Sequence, residues 1–195
     1  MTSSRLMLLS AAGFTALALA GCNKAEAPAE EADTTEATAT AEANDPIASA
    51  ESAAPEAVAK SAAIATMGAD GKMTELRPGT NGWTCMPDSP TTPGPDPMCM
   101  DANAMEFIMA WASHSAPPSD KPGIMYMLKG GTDASNLDPY ATEPDGAWIE
   151  TGPHMMLVGS TAALAGYKGG ANPDTKAPYI MWEGTPYAHL MIPVG

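Results

Sequence analysis

Gly123-Ile124-Met125-Tyr126-Met127-Leu128, closed by Lys129-Gly130-Gly131, is the stretch on which the fold turns. Side chains alternate between the two faces of a strand, so a run with no polar face belongs where both faces are covered, in the middle of a sheet. Just upstream lies the one convincing helix. Asp101 can cap it, and Ala104, Met105, Phe107, Ile108, Met109, Trp111 and Ala112 give it a broad apolar surface. Pro117-Pro118 stops it, with His114 near its C-terminus as a surface or capping residue.

Further upstream, Ala63-Ile64-Ala65-Thr66-Met67, the turn signal Asp70-Gly71 and Lys72-Met73-Thr74-Glu75-Leu76 read as strand, tight turn and strand. Pro78-Gly79 and Asn81-Gly82 precede a further extended segment, Trp83 to Met86, and the Pro-rich stretch from Pro87 to Pro97 is irregular. Downstream, Thr132 to Gly146 reads as a long loop whose acidic residues Asp133, Asp138, Glu143 and Asp145 lack the alternating spacing of a calcium loop. They are expected to be solvated. Ala147–Thr151, His154–Val158, Tyr179–Trp182 and Tyr187–Pro193 read as extended, with a short helical candidate at Ser160–Ala165. The expected fold is α+β and loop-rich: a small, mostly antiparallel sheet of about five or six short strands with one principal helix.

Composition narrows the function. A formal net charge of -14 argues against a nucleic-acid partner, which would require a basic patch. Fifteen methionines against two phenylalanines mark a core built on thioethers where other proteins use aromatic or branched side chains.

Residues 1–21 have a short polar start with Arg5 and an apolar run from Leu6 to Ala20, the pattern of a secretory signal peptide. The run ends in Leu19-Ala20-Gly21-Cys22, which resembles the lipobox of bacterial lipoproteins. That resemblance implies cleavage before Cys22, a diacylglyceryl group on its thiol and attachment to a lipid bilayer. Asn23, in place of the Asp that retains such proteins in the inner membrane, implies the outer membrane, facing the periplasm. Residues 22–60, acidic and without an aromatic, read as a disordered tether with a reach of about 30 Å. Residues 61–195 read as one domain.

With Cys22 taken by lipid, Cys85 and Cys99 remain. In an exported chain such a pair favours a disulfide closing the Pro-rich loop, a contribution on the order of 3 kcal/mol.

Two segments share a spacing, His154-Met155-Met156 and His189-Leu190-Met191. Positions two apart on a strand share a face, so each segment sets an imidazole beside a thioether. If the strands are neighbours, His154, Met156, His189 and Met191 converge, with Met125 or Met127 from a third strand. Imidazole with thioether suits copper, above all Cu(I), and the spacing is similar to the His-x-Met pairs of periplasmic copper carriers. Equally, these are core strands of a methionine-rich protein, with hydrogen-bonded structural histidines. A hydrolase would need His154 or His189 as general base with Glu150 or Glu183 orienting it, and no spacing singles out such a pair.

Gly79-Thr80-Asn81-Gly82-Trp83-Thr84-Cys85, Asp96-Pro97-Met98-Cys99, Gly152-Pro153-His154-Met155 and Trp182-Glu183-Gly184-Thr185-Pro186-Tyr187-Ala188-His189 resemble segments of an uncharacterised family of exported bacterial proteins. The resemblance spans residues 76 to 195, implies an intact fold and carries no activity with it. The reading that follows is a non-catalytic, membrane-tethered lipoprotein of the cell envelope that binds a small ligand or a partner. A copper-handling lipoprotein is the runner-up, and a histidine-based hydrolase comes third.

Overall fold

The computed structural model describes residues 45–195. The expected signal peptide, the lipidation at Cys22 and the first part of the expected tether lie outside the described residues. The elements are α1 (Pro46–Glu51), α2 (Glu56–Ala59), β1 (Ala63–Met67), β2 (Met73–Arg77), β3 (Thr84–Met86), β4 (Met98–Met100), α3 (Ala102–Ala112), β5 (Asp120–Met127), β6 (Gly131–Asp133), β7 (Ile149–Thr151), β8 (His154–Ser160), a 3₁₀ turn (Thr161–Leu164), β9 (Tyr179–Met181) and β10 (His189–Pro193). An eight-stranded sheet runs β2-β1-β3-β4-β5-β8-β10-β9, and β6 and β7 pair separately. β1 and β3 are parallel, so the sheet is mixed. It is larger than the small, mostly antiparallel sheet expected, because strands of three residues such as β4 are too short to show a period. Their neighbours' register defines them. β5 lies inside the sheet between β4 and β8, as its two apolar faces require.

The helix expected at Asp101 forms. Asp101 Oδ1 accepts from the Ala104 amide at 2.8 Å, capping α3, while Oδ2 accepts from the Ile124 amide of β5 at 3.0 Å. One carboxylate thus fastens the helix to the sheet. Gly123 permits the close approach: a Cβ there would lie 2.3 Å from the Ala104 nitrogen. His114 ends the helix at φ 55°, exposed, its ring 4.1 Å from that of Tyr140.

The sheet separates two cores. Under α3 lie Met100, Met125, Met127, Met156, Met181 and Met191 with Phe107. The opposite face carries Ile64, Cys85 and Cys99, covered by Ala50, Ala53, Ala54 and Ala59 and flanked by Trp83 and Tyr126. Cys85 and Cys99 are cross-strand partners on β3 and β4 and form the expected disulfide.

That second core corrects the tether boundary. Residues 46–60 were expected within it, yet α1 and α2 are folded, and Ala50, Ala53 and Ala59 are at most 1 % exposed. Asp45 caps α1 by accepting from the Ile47 amide, and Pro46 stands at its first helical position. Arg77 of β2 binds the segment to the sheet edge, donating to Glu51 Oε1 at 2.5 Å and to the carbonyls of Ala59 and Ala62 at 2.8 and 3.0 Å. None of the helices among the described residues is long and apolar enough to cross a membrane.

Candidate functional site

Strand register builds the site from the methionines upward. Met100, Met125, Met156 and Met191 are successive partners across β4, β5, β8 and β10, and Tyr179 of β9 continues the row. On one side of this row Met127 pairs with His154; on the other, Met181 pairs with His189. The two His-x-Met strands are therefore neighbours, as the copper reading required. The four residues do not form one compact set, however. Met156 opposes Met191, whereas His154 opposes Pro193, four residues along β10 from His189. At roughly 3.3 Å per residue the histidines start about 13 Å apart along the strands. Each meets its own methionine directly across instead, Met127 for His154 and Met181 for His189. Among the described residues no three His, Cys, Asp or Glu side chains come together as a metal-holding group.

The two imidazoles are set in the same way. His154 Nδ1 donates to the Gly152 carbonyl at 2.8 Å, and His189 Nδ1 donates to the Tyr187 carbonyl at 2.9 Å. A carbonyl can only accept, so each neutral ring carries its proton on Nδ1 and a bare lone pair on Nε2. Both Nε2 atoms are buried without a hydrogen-bond partner. Burial keeps the rings neutral. It lowers the His154 pKa against the opposing pull of the Gly152 carbonyl, and it drives His189 down to about 4, with the nearby His154 adding to the effect.

Both histidines line a cavity of about 800 Å³, with Met127, Met156, Met181 and Met191 around them. That volume is in the range of small-molecule pockets. At one end stand Asp96 and Asp133. Burial pushes Asp96 up to about 6, with Asp88 adding to the effect, and pushes Asp133 up to about 7, with Asp96 adding to the effect. Asp133, expected to be a solvated loop charge, is thus half-buried against the cavity, whereas Asp138, Glu143 and Asp145 are exposed.

Aromatic rings form the other end. Trp111 is parallel to Tyr140 and to Trp182, with centroids 6.1 and 6.2 Å away. Trp182 sits at φ 56°, a left-handed conformation that a bulky residue adopts only under constraint. The constraint is visible: its amide donates to the Asn136 carbonyl at 2.8 Å and its indole Nε1 to the Ser135 carbonyl at 3.1 Å. Asn136, 1 % exposed, in turn donates to the carbonyls of Ile180 and Gly170. A strained tryptophan held over a cavity by a buried asparagine is the mark of a fixed site wall.

The hydrolase expectation loses its orienting carboxylates. Glu150 and Glu183 are exposed, and the groups that orient the histidines are backbone carbonyls. Sequence reasoning missed Met181 and Asp96 and read Asp133 as a solvated charge. Only Met181 left a trace, a methionine in an apolar strand near the second His-x-Met segment. No protein-family model, no curated protein and no solved structure matches this chain.

Proposed function

We propose that this chain is a lipid-anchored, exported, non-catalytic binding protein whose methionine-lined cavity holds a small ligand. One observation carries the reading: two buried, neutral imidazoles line a cavity of about 800 Å³, each with an unsatisfied Nε2 lone pair. An orphaned buried acceptor costs on the order of 1–3 kcal/mol, and a ligand that engages it recovers that loss. The signal-like residues 1–21 and the lipobox ending in Cys22 support export and anchoring, with Asn23 favouring the outer membrane. The Cys85–Cys99 disulfide accords with an oxidising compartment.

The binding reading is tested by titrating the full chain in detergent with N-phenyl-1-naphthylamine, a neutral apolar fluorophore. Saturable enhancement is expected in the native chain, with loss of that enhancement in Ala134→Trp, which fills the cavity from its wall. Absence of saturable enhancement, or identical titrations for the two proteins, overturns it. Mass spectrometry of protein extracted from membranes is expected to find an acylated Cys22 at the mature N-terminus; an unmodified thiol there overturns the anchor.

A further inference from the structure

We infer that the ligand of this cavity is Cu(I), held at two like centres: His154 with Met127 and Met156, and His189 with Met181 and Met191. The inference rests on the binding reading above and names its ligand. Its basis is a repeated local design. In each centre the histidine Nδ1 is fixed by the carbonyl two residues earlier, the Nε2 lone pair is free and buried, and a methionine two residues on shares its face. A second methionine is its partner on the next strand.

A ring nitrogen freed at Nε2 by an Nδ1–H bond to a backbone carbonyl is the arrangement that orients imidazole as a metal ligand. The companions are thioethers, with no thiolate or carboxylate in the set, which selects a soft monovalent ion over zinc, calcium or magnesium. At the first centre the imidazole and the thioether also pack against the same glycine. A Cβ added at Gly131 would lie 2.9 Å from Met127 Cε, 3.4 Å from His154 Cε1, the atom next to Nε2, and 3.7 Å from Met127 Sδ. The imidazole edge and the thioether thus meet at Gly131, where any larger residue would push Met127 aside. Asp96 and Asp133 line the same cavity.

Anaerobic titration of the full chain against Cu(I)–bicinchoninate tests this. The native chain is expected to withdraw two equivalents of copper. His154→Gln and His189→Gln are each expected to withdraw one, and the double variant none. Met127→Leu and Met181→Leu keep the core volume, so they preserve the fold while removing one sulfur. Each is expected to weaken one centre at least tenfold, with near-ultraviolet circular dichroism unchanged.

One equivalent withdrawn by the native chain and none by either histidine variant would show one shared ion and overturn the two-centre assignment, as would Met→Leu variants that bind like the native chain. No withdrawal of copper, with N-phenyl-1-naphthylamine still taken up, would refute copper while leaving the binding reading standing. Failure of both probes would refute both.

Discussion

Met156 and Met191 face one another across β8 and β10, with a histidine two residues away from each, toward opposite ends of the pair. Both are nearly inaccessible, at 7 % and 1 %, whereas Met109 on the outer side of α3 is 36 % exposed. Oxidation of methionine follows access. Brief treatment with dilute hydrogen peroxide followed by peptide mass spectrometry is expected to show sulfoxide at Met109 first, with Met100, Met125 and Met191 protected until the protein unfolds.

Asp101 caps α3 and also accepts from the Ile124 amide. Asp101→Ala removes the cap, roughly 1 kcal/mol, and leaves an amide of β5 unsatisfied, roughly 1–3 kcal/mol more. Urea denaturation is expected to show a loss of about 2–4 kcal/mol. Asp101→Asn, which keeps one acceptor oxygen, is expected to lose about half as much.

Removing residues 1–44 is expected to leave the thermal transition in place, whereas removing residues 1–60 uncovers Ile64, Cys85 and Cys99 and is expected to abolish it. Arg77→Leu breaks the bonds to Glu51, Ala59 and Ala62. A loss of about 2–3 kcal/mol is expected, together with faster tryptic cleavage after Lys60.

The disulfide joins residues 14 apart. Replacing both cysteines by alanine is expected to lower stability by about 3 kcal/mol in denaturant titration. An unchanged midpoint would mean that the Pro-rich loop is already confined in the unfolded chain.

Burial holds the Asp133 carboxyl up to about 7, with Asp96 adding to the effect, against an unfolded value near the usual aspartate range. Between those values the folded chain keeps a proton that the unfolded chain has lost, so this group's contribution to stability falls as pH rises from about 4 to about 7. Asp133→Asn removes the penalty. Its stability relative to the native chain is expected to improve across that window by an amount on the order of 3 kcal/mol and to level off above it.

Some of this was readable from the chain because the signal is local. The two apolar faces of Met125-Tyr126-Met127 fixed an inner strand, Asp101 announced a helix, and the period of two placed each histidine beside a methionine. What was not readable depends on register and on small side chains. Nothing in Met98-Cys99-Met100 distinguishes a strand from the end of a loop, and nothing near His189 names Met181 as its partner. Residues 46–60 pass for linker because alanine has little hydrophobicity of its own. It is buried here because close helix–sheet approach favours the smallest side chains, a property of the finished packing. Asp133 reads as solvated by composition and is enclosed only once β6 has paired with β7.

Under the anchor proposed at Cys22, the division of the sheet into an alanine face and a methionine face also governs how the domain would be moored. The chain enters through α1, which packs on the Cys85–Cys99 side, and Arg77 clamps the segment that follows. A pull transmitted from upstream is therefore borne by the cystine side of the sheet and by that guanidinium. The cavity lies across the sheet from that strap, so the proposed anchoring and the proposed binding would be mechanically separate tasks.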